Sequence, residues 1–63
     1  MKAILLYNEQ IELYEVHKYN LIFKIFGRTM GTNISYGGTE YNAIEKAKKQ
    51  IRGNIRIIRQ IEI

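Results

Sequence analysis

The chain has no cysteine, no proline and no aspartate, and it carries a single histidine and a single serine. Without cysteine there are no disulfides and no thiolate metal ligands, so the usual staples of so short a chain are excluded. The same absence fits a reducing compartment. A nucleophile with its activating base would have to be built from Ser35 and His17, on separate segments, with no identified carboxylate to orient the imidazole. Glu9, Glu12 and Glu15 could supply a carboxylate pair only in arithmetic, because they read as solvated charges around a strand. His17 reads as a surface residue in a turn. With Glu15 it makes a single metal-type pairing, and two residues do not make a site. The expectation is a non-enzymatic protein that needs no metal and no cofactor and takes no small-molecule substrate.

Long hydrophobic runs are missing as well. The longest, Ala3 to Tyr7 and Leu21 to Phe23, are far too short to span a membrane, and no basic segment followed by a long apolar run opens the chain. A soluble, cytoplasmic protein with no membrane partner is expected. The glycines at 27, 31, 37 and 38 match no phosphate-binding loop. Gly37-Gly38 precedes a helix, where free amides can hold an anion, but Glu40 in the first turn would repel a phosphate.

What is present is one domain, residues 1–63, whose core can supply only about 3–5 kcal/mol of net stability. Efficient packing or oligomerisation must therefore help. One run repeats its apolar residues with helical spacing: between Thr39 and Arg52, Ile44, Ala47 and Ile51 form a stripe that Ala43 widens. Thr39 is the predicted N-cap. Glu40 suits the positive end of the helix dipole, Lys48, Lys49 and Arg52 suit the negative end, and Gly53 is placed to end the helix in a left-handed conformation.

The rest reads as strand. Near-continuous apolar residues from Lys2 to Tyr7 predict a strand buried on both faces, followed by a turn at Asn8-Glu9-Gln10. Ile11 to Val16 is a second strand whose apolar phase changes, as a bulge near Leu13 or Tyr14, or a strand buried on both sides at that end, would produce. Leu21 to Phe26 is read as a third strand, with Leu21, Phe23 and Ile25 on one face and Ile22, Lys24 and Phe26 on the other. Thr32 to Tyr36 alternates cleanly as a fourth, and Ile55 to Ile63 forms the fifth. The predicted fold is α+β, a mostly antiparallel sheet with one helix on a single face, in the order β-β-β-β-α-β. After a four-strand meander the fifth strand would run opposite to the first and pair with it, giving the spatial order 5-1-2-3-4.

Two surfaces follow. One helix covers one face of a sheet, yet both faces carry apolar residues, so Ile22, Lys24 and Phe26, with Ile4 and Leu6, form the candidate surface for a protein partner or a second copy of the chain. A sheet curled on itself would cover the same residues. The second surface is electrostatic. The net charge is +4, and residues 24–63 carry eight basic residues against Glu40, Glu45 and Glu62, a sum of +5. Lys46, Lys48, Lys49, Arg52 and Arg56 are the candidate phosphate contacts for a nucleic acid. The competing explanation is compositional: a chain with twelve isoleucines and six lysines looks like the product of an AT-rich genome.

Overall fold

A computed structural model describes residues 1–30 and 32–59. The chain forms β1 (Lys2–Asn8), β2 (Leu13–Lys18), α1 (Leu21–Phe26), a 3-10 turn (Gly27–Met30), β3 (Asn33–Gly37), α2 (Glu40–Gln50) and β4 (Arg56–Arg59). The four strands make one sheet in the order β3-β2-β1-β4. The expected α+β class and mostly antiparallel sheet stand, with two antiparallel pairings and a parallel one between β1 and β4.

β1 is central because its sequence leaves no face for water: Ala3, Ile4, Leu5 and Leu6 are all buried. The face bearing Ala3, Leu5 and Val16 packs against α2 through Ala43 and Ala47, flanked by Tyr14, Ile34, Ile44, Ile55 and Ile57. Small residues at the contact let the helix approach closely. Ser35 Oγ donates to the Ala43 carbonyl at 2.7 Å, and a Cβ on Gly37 would lie 2.4 Å from the Ala43 nitrogen. Thr39 caps α2 as expected, its hydroxyl accepting from the Asn42 amide at 3.1 Å. The helix ends earlier than predicted. Its C-cap is Ile51 in extended conformation, and Gly53, at φ 113°, instead turns the chain into β4.

The third predicted strand is a helix. Leu21 to Phe26 follows Asn20, whose side-chain oxygen accepts from the Phe23 amide at 3.1 Å, and it ends at Gly27, at φ 67°, whose amide donates to the Phe23 carbonyl. Caps at both ends select helix in a six-residue apolar run whose periodicity fits either state. Losing one strand changes the parity of the chain. With one reversal fewer, β4 arrives parallel to β1 rather than antiparallel, while the remaining strands keep the predicted order, the predicted fourth now pairing directly with the second. The α1 helix lies on the sheet face opposite α2, where the Phe23 ring sits 5.5 Å from that of His17.

The phase change in the second strand has a different origin from the one expected. Ile11 is not in the strand but in the 9–12 turn, where Glu12 takes a positive φ of 56°. Asn8 is the last residue of β1, and its Oδ1 accepts from the Gln10 amide at 3.0 Å. The sheet's irregularity falls between Val16 and His17, against β3, and not near Leu13. Of the predicted fifth strand, residues 60–63 lie outside the described residues. Among the described residues no helix is long and apolar enough to cross a membrane.

Candidate docking surface

The α1 helix buries none of its residues. Leu21 is 70% exposed, Ile25 63%, Phe26 53% and Ile22 48%. These values follow the helical wheel. At about 100° per residue, Leu21 and Ile25 lie opposite Phe23, the residue that faces the sheet, while Ile22 and Phe26 lie on one flank and Lys24 on the other. The result is a convex apolar ridge. Phe23 is its mount, contacting His17 and, at 5.8 Å, the Tyr19 ring. Lys24 Nζ stands 5.4 Å from the centre of the Tyr19 ring, a cation–π distance.

Ile22, Lys24 and Phe26 are therefore each exposed, but on a helix and not on one sheet face: Ile22 and Phe26 share a flank and Lys24 lies on the other. Ile4 and Leu6 must be removed from the candidate surface: both are buried, on the sheet face where Phe23 and Arg28 reach His17 and Glu15, their cross-strand neighbours. Leu21 and Ile25, the crest of the ridge, would lie on the opposite face from Ile22 and Phe26 in a strand.

Beneath the ridge lies a buried polar cluster. Glu15 and His17, 3% and 2% exposed, are neither a solvated charge nor a surface turn residue. Two apart on β2, they share one face. Glu15 Oε1 accepts from His17 Nε2 at 2.6 Å, and its Oε2 accepts from Asn8 Nδ2 at 2.7 Å. His17 Nδ1 is 3.0 Å from the Thr32 hydroxyl, and the Arg28 guanidinium lies 3.6 Å from Glu15 Oε2. A carboxylate can only accept, so Nε2 carries its proton towards Glu15, and the rotatable Thr32 hydroxyl supplies whichever role Nδ1 requires. Burial alone would raise the pKa of Glu15. The hydrogen bonds from Asn8 and His17, with the charges of His17 and Arg28, outweigh that and hold it below the ordinary carboxylate range.

Hydroxyl, imidazole and carboxylate thus stand in line, but both ring nitrogens are engaged and the Thr32 hydroxyl is buried. Ser35, the other hydroxyl weighed with His17, points to the opposite face of the sheet and bonds within α2. An open cavity of about 160 Å³ adjoins the cluster, lined by Tyr7, Asn8, Glu9, Gln10 and Arg28. Among the described residues no three acidic or histidine side chains are grouped to hold a metal.

No family model, curated protein or solved structure matches this chain.

The basic candidates are all exposed. They do not form one ridge on α2. Helical geometry puts Lys46 and Lys48 on opposite flanks and Lys49 near the outer crest, Arg52 lies past the extended C-cap Ile51, and Lys48 Nζ lies 3.8 Å from Glu45. Arg56 belongs to β4, directly beside Lys2 of β1. Arg59 is bonded to Glu40. Sequence reasoning missed Glu15, His17, Asn8 and Thr32 as a unit. The spacing of Glu15 and His17 on a strand was the available signal, since alternate residues share a face.

Proposed function

We propose that the chain is a small non-enzymatic binding module that docks onto a protein partner through the apolar ridge of α1. The observation that carries this reading is the exposure of Leu21, Ile22, Ile25 and Phe26 on one short capped helix. Fully burying a large apolar side chain is worth about 1.5–3 kcal/mol, so covering four that are already partly exposed recovers several kcal/mol. Leaving them in water has no benefit to the isolated fold. A convex helical ridge fits a partner groove in the manner of helix-in-groove recognition, with Ile25 and Phe26 as central anchors. The buried network below gives the ridge a fixed base: Phe23 rests on His17, and Arg28 from the adjoining turn reaches Glu15. This reading requires no metal, cofactor or small molecule, and a reducing, cytoplasmic setting fits it.

A second copy of the chain is the simplest partner, so sedimentation over a wide concentration range comes first. Self-association that is lost in Ile25→Glu would identify that partner. If the protein stays monomeric, affinity capture from cell extract is compared between the native chain and Ile22→Glu or Ile25→Glu variants of unchanged melting temperature. Loss of one specific protein from both variants supports the reading. A monomer whose variants retain every bound protein refutes it.

A further inference from the structure

Charge in this molecule is sorted along the strand axis, an arrangement the sequence order does not reveal. β1 and β4 both start at one end of the sheet, and β2 finishes there. Lys2 is the register neighbour of Arg56, and Lys18 stands opposite Ala3. The Met1 ammonium is held at the same end by the Asn54 carbonyl at 2.9 Å, and the Arg56 amide donates to the Met1 carbonyl at 2.8 Å. The Tyr19 amide bonds the Lys2 carbonyl at 3.0 Å, which brings the Lys24 ammonium above Tyr19 into the group. α2 begins near the far end, after Gly37 opposite Tyr14, and runs back, so Arg52 precedes the Gly53-Asn54 turn beside Met1.

The carboxylates among the described residues lie elsewhere. Glu9 and Glu12 occupy the β1–β2 turn at the far end, Glu40 opens α2 there and bonds Arg59, Glu45 faces Lys48, and Glu15 is buried with His17 and Arg28. Among the described residues, none of the Met1 ammonium, Lys2, Lys18, Lys24, Arg52 and Arg56 has an ion-pair partner. Lysines supplied by genome composition alone would scatter over the solvated surface. Here Lys2, Lys18 and Lys24 gather with Arg52 and Arg56, and Lys2 and Arg56 are direct cross-strand neighbours of like charge, an arrangement that is unfavourable unless an anion lies between them.

We propose that this end of the sheet binds the phosphodiester backbone of a nucleic acid without reading its sequence, with Lys2 and Arg56 at the centre and Lys18, Lys24 and Arg52 extending the contact. The band crosses both faces: Lys2 and Arg56 project on the α1 side, and Lys18, paired with Ala3, on the α2 side. A linear polyanion can follow such a band around the end of the sheet. A flat anionic bilayer would meet one face only. The site is separate from the α1 crest and does not depend on docking there.

The test is titration of the 63-residue chain against a fluorescently labelled duplex and a labelled single strand from about 50 to about 200 mM NaCl, with slopes of log affinity against log salt of about 0.9 per neutralised duplex phosphate and about 0.7 per single-strand phosphate. The expected result is binding at low salt whose duplex slope falls by about 1.8 in Lys2→Gln/Arg56→Gln and is unchanged in Lys46→Gln. Ile25→Ser should bind DNA as the native chain does, which separates this site from the docking ridge. All substituted residues are exposed, and unchanged thermal melting confirms that each variant is folded. Absence of binding at the lowest salt overturns the proposal. So does a slope that responds to Lys46→Gln and not to Lys2→Gln/Arg56→Gln, which would put the phosphates on α2. Binding to phosphatidylserine-containing vesicles but to neither DNA would overturn it in favour of a lipid surface.

Discussion

Replacing Glu15 by glutamine isolates the energetics of the buried cluster with almost no change in volume. The carboxylate accepts from two buried donors, Asn8 Nδ2 through one oxygen and His17 Nε2 through the other. An amide has one oxygen. Its oxygen can serve Asn8, and its NH2 group then faces His17 Nε2, which accepts only once the ring has moved its proton to Nδ1 and the Thr32 hydroxyl accepts there. The two charge-assisted hydrogen bonds to the carboxylate become neutral ones, a loss of about 1–3 kcal/mol. The exposed side of Arg28 and its 3.6 Å separation make its share small by comparison. For a chain of this size a loss of about 2 kcal/mol corresponds to a melting temperature lower by about 8–16 °C. The difference should also depend on pH. Because the folded state holds the Glu15 pKa below its ordinary value, the stabilisation is fully present above that ordinary value, about 4.3, and is lost as pH falls through the lower folded one. Protonated Glu15 then resembles glutamine, so the gap between the two proteins should narrow. Urea unfolding at pH 7, 5 and 3 measures all of this, and a double-mutant cycle with Asn8→Ala should give a coupling of at least about 0.5 kcal/mol. A variant within about 0.5 kcal/mol of the native chain at pH 7, or a gap that stays constant down to pH 3, would refute the reasoning.

Other positions give sharper or simpler outcomes. Gly37→Ala sets a Cβ 2.4 Å from backbone of α2 and should destabilise by about 3 kcal/mol or leave the chain unfolded, as read by circular dichroism. Thr39→Ala removes the α2 cap and should cost about 1 kcal/mol in chemical denaturation, with Thr39→Ser close to native. Phe23→Ala removes the only inward side chain of α1, and hydrogen exchange should show the amides of Lys24 to Gly27 losing protection while those of β1 keep theirs; equal loss in both would mean that α1 is not a separately mounted element.

Most of the scaffold is legible along the chain. The central position of β1 follows from four consecutive apolar residues that no half-exposed strand tolerates, α2 from its period and from Thr39, and β3 from its alternation. The surplus of apolar residues also announces a surface needing cover. Its exact members were misassigned because a strand and a helix distribute Leu21 to Phe26 differently: in a strand Leu21 and Ile25 oppose Ile22 and Phe26, whereas in the helix all four form one ridge.

Two features belong to tertiary structure alone. The direction of β4 depends on how many times the chain reverses before it, so a local choice at Asn20 and Gly27 decides a pairing some thirty residues later. The burial of Glu15 and His17 cannot be read from β2, because the cost of placing them out of water is met by groups distant in sequence. Asn8 is seven residues from Glu15, and Thr32 is fifteen from His17. Only when the sheet, α1 and the 3-10 turn bring Asn8, Arg28 and Thr32 around them does a polar pair that pattern alone assigns to solvent become part of the interior.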